Sequence, residues 1–250
     1  MHDRKRRSSV RVEALVAAPL LVAFALASGD LRAGGAGSTP TVKGHVAGWE
    51  KLVPQVYADA AGADSHRYNW REPSPTVKAD FRKLSASVSR DVCVVAVGAA
   101  AAPAHEPLAV KVTGGRLTPA TIVLSPGSRL SFKNADPFNH VLYEVGNDKW
   151  AANPMGPGAT REWSASAPGV HQIRDELFPS LIMYVVVDPN AVDFALPDRD
   201  GAFTLTLPAG EYTIRAFFDG KPVGKVVEGF HVAERGAELR DAIALGGDAR

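Results

Sequence analysis

From Leu108 onward the chain alternates apolar and polar residues with a period of two. Leu108, Val110 and Val112 share one face, as do Ile122 with Leu124 and Leu130 with Phe132. That period is the signature of strands half-buried in a sheet. The runs are separated by "TGGRLTP" and "SPGSR", rich in the residues that turns use. "HVLYEV", "TREWSAS", "GVHQIR" and "IMYVVV" continue the series, followed by "AFTLTL", "EYTIRAFF" and "KVVEGFHV", with turns at "PDRDG", "PAGE" and "DGKPVG". No helical period intervenes. Strands at this spacing predict an all-β fold built as an antiparallel β-sandwich.

Upstream the pattern is patchier. "VKGHVAG" predicts a short strand ending in glycine, and the continuous apolar run "DVCVVAVG" predicts a buried one. Between them, Trp49 to Ser89 mixes aromatics, charges and prolines, as in "HRYNWREPSPTVKADFRKL". A long ordered loop with one helical turn is expected there, its aromatics packed on a sheet; the alternative role for Tyr68 and Trp70 is gripping a ligand at the surface. "AAAAPAHEP" is a spacer in which His105 and Glu106 are expected to be solvated. The tail from Glu234 is expected to be a frayed helix.

Composition agrees with the strand pattern. With 250 residues, 46% of them hydrophobic, the chain can bury one large core or two small ones, and Gly 23 with Pro 18 suits many tight turns. The first 27 residues read as a signal peptide. Arg4, Lys5, Arg6, Arg7 and Arg11 form a basic region, Ala14 to Ala27 an apolar one, and Ala25-Leu26-Ala27 a small-x-small cleavage site. The apolar run is short for a membrane span and is interrupted by Pro19, although an uncleaved anchor is the alternative. Arg6-Arg7 is a poor match to a twin-arginine signal. Residues 28–41, "SGDLRAGGAGSTPT", read as a flexible linker.

The charge balance shifts once the signal is set aside. The whole chain has 28 Lys+Arg and 27 Asp+Glu; five of the basic and two of the acidic residues lie in 1–27, leaving 23 against 25. A net charge of −2 gives no electrostatic case for nucleic acid. The expected compartment is the periplasm or the exterior, with no membrane span after cleavage following Ala27. A single cysteine, Cys93, excludes an internal disulfide, and its apolar strand predicts a small buried hydrophobe rather than a reactive thiol.

Catalytic signatures are lacking: there is no nucleophile elbow, phosphate-cradling loop, paired-histidine zinc helix or Cys-x-x-Cys pair. A hydrolase built on His140 would need a positioned nucleophile, and none is identifiable. Asp198–Gly201 places two acids before a glycine, yet lacks the later oxygens of a calcium loop, so a hairpin turn is expected.

The informative stretch runs from Leu117 to Val187. "LTPATIVLSPGSRLSFKNADPFNH" sets Asn134 and Asp136 just before His140, and "GVHQIRDELFPSLIMYVVV" supplies a strand, a proline-containing loop and an apolar strand. Over about 80 residues this resembles the cupredoxin family. The resemblance implies a Greek-key sandwich in which the histidine after the Asn-x-Asp element is the first copper ligand. The others lie on a C-terminal loop as Cys-x-x-His-x-x-Met or slightly longer. Here Asp175 stands at the cysteine position, Phe178 at the histidine and Leu181 at the methionine, while Pro179 is kept.

A blue-copper centre needs two imidazoles and a thiolate, with a weak axial thioether. The loop therefore reads as a metal pocket converted to apolar core. No metal ligand, cofactor or catalytic residue is assigned. His140 is expected to brace the loop by hydrogen bonds; the alternative is a rebuilt divalent-metal or electron-transfer site from His140, His171 and Asp175.

A second resemblance follows Tyr184. "PDRDGAFTLTLPAGEYTIRAFFDGKPV" is similar to the carboxypeptidase-regulatory-like (transthyretin-like) modules, carried by Asp200-Gly201-Ala202-Phe203 and Leu207-Pro208-Ala209-Gly210-Glu211-Tyr212. It implies a noncatalytic β-module of secreted proteins, sometimes associated with carbohydrate. The expected organisation is residues 42–107 as N-terminal strands and loop, 108–188 cupredoxin-like, 189–233 transthyretin-like, and 234–250 tail. "VKGHV" and "DVCVVAV" are expected to complete the sheet of the second module. The expected role is structural or binding, with an envelope protein or a carbohydrate as partner.

Overall fold

In the computed structural model the described residues are 39–60, 85–102 and 106–246. Residues 1–27, most of the linker, Tyr68, Trp70 and His105 lie outside them; Glu106 is exposed. Among the described residues no helix is long and apolar enough to cross a membrane.

The described residues build an all-β fold, with four sheets facing each other in two pairs. The first sandwich uses the stretch after Leu108. One of its sheets has the order β4 (Arg116–Thr118), β3 (Leu108–Thr113), β6 (Arg129–Asn134), β9 (Thr160–Ser164). The other runs β5 (Thr121–Leu124), β11 (Ile182–Val187), β10 (Gly169–Asp175), β7 (His140–Glu144), β8 (Asn153–Met155). Most neighbours are antiparallel, but β3 with β6 and β5 with β11 are parallel. Val110, Val112, Leu130, Phe132, Leu142, Trp163, Ile173, Met183 and Val185 fill the space between these sheets.

The second sandwich takes strands from both ends of the chain. One sheet is β12 (Ala191–Ala195), β2 (Val92–Val97), β14 (Gly210–Phe218), β15 (Lys221–Val232). The other sets β1 (Thr41–Ala47) beside β13 (Ala202–Thr206), antiparallel. Thus "VKGHV" and "DVCVVAV" pair with strands far later in the chain, β1 with β13 and β2 with β12 and β14, and the first sandwich is an excursion between β2 and β12. Val42, Val46 and Val232 share one core with Leu205, Leu207 and Ile214.

The continuous apolar character of "VCVVAV" has a physical cause: β2 is buried on both faces. Val92, Val94 and Ala96 enter the second core, while Cys93 and Val95 enter the first. Burial pushes the Cys93 thiol up to about 12, as expected of an inert core cysteine.

Three local expectations need correcting. The tail is not a helix: Ala237–Glu238 and Ile243–Ala244 form β16 and β17, both pairing in parallel with β1. Ile243 and Leu245 alternate inward with no exposure above 1%, a period of two that was masked by short length and charged neighbours. The segment after Trp49 has more than one helical turn, with a 3-10 turn at Trp49–Lys51, α1 at Gln55–Ala60 and α2 at Val88–Asp91. Asp198–Gly201 is a turn but not a hairpin, because β12 and β13 belong to different sheets. Asp198 Oδ1 accepts the N–H groups of Asp200 and Ala202, both at 2.9 Å, so that carboxylate is spent on its own backbone.

Candidate functional site

His140 opens β7, and Asp175 closes β10 beside it. Inward positions on the two strands are His140, Leu142, Glu144 and His171, Ile173, Asp175, because side chains alternate along a strand. Each strand thus carries a histidine, an aliphatic residue and an acid: "HVLYE" and "HQIRD". Antiparallel pairing brings the histidine of one to the acid of the other, at both ends. His140 Nδ1 lies 2.8 Å from Asp175 Oδ2, and His171 Nδ1 lies 2.6 Å from Glu144 Oε1.

The first pair is extended into a triad. His140 Nε2 lies 3.1 Å from Asp136 Oδ2, so both ring nitrogens face carboxylate oxygens. An ionised carboxylate only accepts, so each acid can take a hydrogen bond from the ring nitrogen it faces. The His140 side chain is fully buried, as is that of Asp175. Phe138 and Phe178 close over it, their ring centroids 5.3 and 5.0 Å from the imidazole and 5.1 Å from each other.

Backbone donors complete the triad. Asp175 Oδ1 accepts from Leu177 N at 2.7 Å and Phe178 N at 3.0 Å, and Oδ2 also from Val141 N at 3.2 Å. Asp136 Oδ1 accepts from Gly114 N at 2.8 Å. Gly114 and Gly115 form the two-residue loop between β3 and β4 with φ of 60° and 67°, a pair of left-handed positions that glycine adopts freely. Burial alone pushes the Asp136 carboxyl up, but the Gly114 N–H, His140 and the Gly115 N–H outweigh it and hold it below the usual range. Asn134 shapes the turn, its Oδ1 accepting from Asp136 N at 2.9 Å and its Nδ2 donating to the Phe138 and Met155 carbonyls.

The rebuilt metal site from His140, His171 and Asp175 is not assembled. His171 and Asp175 are four residues apart on one strand, about 13 Å at strand rise. His171 Nε2 donates to the Ala167 carbonyl at 2.8 Å, and its ring meets Trp163 edge-on at 5.3 Å. Its partner Glu144 also accepts from Trp163 Nε1 at 2.7 Å and Asn147 Nδ2 at 2.7 Å. Burial pushes the Glu144 carboxyl up, but Trp163, His171 and Asn147 together hold it below the usual range.

Nor do the three triad residues converge on a point. Asp136 and Asp175 hold opposite edges of one imidazole, whereas metal ligands must direct lone pairs at a common centre. Among the described residues no group of three or more His, Cys, Asp or Glu side chains is arranged to hold a metal. Phe178 offers no lone pair, and Leu181, with no exposed surface, is core. The residues present do not fit a blue-copper ion.

Asp136 was visible in sequence only as part of the Asn-x-Asp element, and its partnership with His140 emerges from the fold. The repeated His-x-aliphatic-x-acid pattern was the available signal for both pairs, because strand alternation puts all three residues of each on one face.

No protein-family model matches the chain, and no curated protein matches it. Among solved structures, parts of the chain are similar to cupredoxins. A copper-containing nitrite reductase from Thermus scotoductus SA-01 is 19% identical over 37% of this chain and 25% of its own, with a TM-score of 0.30. A purple cupredoxin from Nitrosopumilus maritimus is 15% identical over 32% of this chain and 99% of its own, with a TM-score of 0.28. A reduced amicyanin variant is 16% identical over 39% of this chain and 99% of its own, with a TM-score of 0.31. This chain thus spans a quarter of the nitrite reductase.

Proposed function

We propose that this is an exported, noncatalytic protein with a binding or structural role, in which a cupredoxin-like domain, residues 108–188, has exchanged its type-1 copper site for a buried hydrogen-bonded triad. Residues 189–233 are its transthyretin-like module, completed by strands from 42–107 and by the tail from 234. The signal peptide ends at Ala27, placing the mature chain in the periplasm or outside the cell, with an envelope protein or a carbohydrate as partner. It needs no cofactor.

One observation carries this reading: both nitrogens of His140 are engaged by carboxylates, with Asp175 at the residue position the resemblance gives to the thiolate. A hydrogen bond at Nδ1 joins histidine and acid where a copper ion would have joined histidine and cysteine. The triad is also ill-suited to catalysis, since its histidine is sealed behind two phenyl rings and has no nucleophile beside it.

The test is metal analysis of the protein purified from its native compartment, followed by titration of the metal-free chain with Cu(II). Substoichiometric copper and no intense visible band are expected. Stoichiometric copper, or a thiolate-to-copper band, overturns the proposal.

A further inference from the structure

A cavity of about 490 Å³ opens beside the triad, where the loops of the first sandwich face α1, the end of α2 and the turn at Asp219. Phe138 and Phe178, the rings that cover His140, form part of its lining, with Leu117, Ile182 and Tyr184 adding apolar surface. Its volume is that of a small-molecule site, and it lies where two packed units meet, a common place for one.

The polar groups of the lining restrict what fits. Most are already spent on one another. Arg90 forks onto Asp91, Nε to Oδ1 at 2.7 Å and a terminal nitrogen to Oδ2 at 2.8 Å. The Tyr184 hydroxyl donates to Gln55 Oε1 at 2.7 Å and accepts from Gln172 Nε2 at 3.0 Å. Asp219 Oδ2 accepts from Gln55 N at 2.7 Å. Among the described residues, the guanidinium of Arg116 and the hydroxyl of Ser180 have no such partner, and both line the cavity.

A sugar needs many free donors and acceptors, which this lining does not offer. A cation would meet the free Arg116 guanidinium, and the carboxylates that also line the cavity, Asp91 and Asp219, are already engaged by Arg90 and by Gln55 N. An apolar body with one anionic group suits both the aromatic surface and the free guanidinium. We infer that the cavity binds a small aromatic carboxylate, with its ring against Phe138 and Phe178 and its carboxylate on Arg116. This goes beyond the proposed function and is independent of it: copper titration tests the triad, and carboxylate binding tests the cavity.

The probe is benzoate, titrated into the full-length protein by calorimetry and by saturation-transfer NMR. Benzamide keeps the ring but not the charge, and acetate keeps the charge but not the ring. Benzoate is expected to bind, with benzamide and acetate each at least about tenfold weaker. Arg116 is exposed on a short hairpin, so its replacement leaves the fold intact. Arg116→Gln is expected to weaken benzoate about tenfold, with partial recovery in Arg116→Lys. Ile182→Trp, folded by circular dichroism, is expected to block the cavity and abolish binding. Failure of benzoate to bind at millimolar concentration, equal binding of benzamide, or unchanged affinity in Arg116→Gln overturns the inference.

Discussion

His140 and Asp175 meet across antiparallel strands with their side chains wholly shielded from water, Nδ1 to Oδ2 at 2.8 Å. A hydrogen-bonded acid–base pair in that setting is costly to break from one side, because the remaining polar group keeps its burial and loses its partner. Asp175→Ala leaves the His140 Nδ1 donor and three backbone N–H groups without their acceptor. We expect a loss of about 3–5 kcal/mol, read as a lower urea midpoint at unchanged slope.

The second prediction concerns the ligand loop. The triple substitution Asp175→Cys, Phe178→His, Leu181→Met would put a thiolate, an imidazole and a thioether at the loop positions that the resemblance aligns with copper ligands. We expect stoichiometric Cu(II) binding with intense visible absorption. A folded triple variant that takes up no copper would show that the cupredoxin-like alignment of this loop is wrong.

Glu144 is expected to link folding to acidity. Its carboxyl is held below the usual range in the folded state by Trp163, His171 and Asn147, despite burial. The resulting stabilisation is complete above the ordinary glutamate value of about 4.3 and is lost as pH falls through the lower folded value. Urea unfolding at pH 7 and in the pH 3–4 range, of the wild type and of Glu144→Gln, isolates this contribution. The variant should be less stable at neutral pH and lose less on acidification.

Asp219 has the opposite sign. Burial, above all, pushes its carboxyl up, so the charged form is disfavoured in the folded state and the cost grows as pH rises through the folded value. Its φ of 47°, followed by Gly220 at 74°, makes the tight left-handed turn between β14 and β15 that Asn-Gly also favours. Asp219→Asn retains an acceptor for Gln55 N. It should raise stability at neutral pH by less than about 1 kcal/mol, given partial exposure, and lose that advantage below about pH 3.

Cys93 should be silent to thiol reagents. With its thiol pushed up to about 12 by burial between two cores, negligible thiolate exists at pH 8. Ellman's reagent is expected to react only at the rate of global unfolding, and stoichiometrically in guanidinium.

The sheets were largely legible because period-two patterning reports burial on one face, and Val110, Val112, Leu130 and Phe132 obey it. β2 was legible as buried, though not as belonging to two cores, since a continuous apolar run has no face. β16 and β17 were not, because two residues carry no period and their pairing with β1 depends on contacts nearly two hundred positions away. At the candidate site, sequence located His140 and Asp175 and placed them on one loop system. It did not pair His171 with Glu144, because which acid meets which histidine depends on the register of β7 against β10. The cavity was invisible, since Arg116, Phe178 and Tyr184 of the first sandwich meet Gln55, Arg90 and Asp219 only once the chain has folded.

The placement of β2 means that neither half of this protein has a wall of its own. Cys93 and Val95 are interior to one half, and Val92, Val94 and Ala96 to the other. If the first half melted, the central sheet of the second would be left with an oily back open to solvent. The energetic unit is therefore the pair, and the two halves should melt in a single transition. A change made beside His140 should then alter how firmly the chain's opening and closing strands hold together.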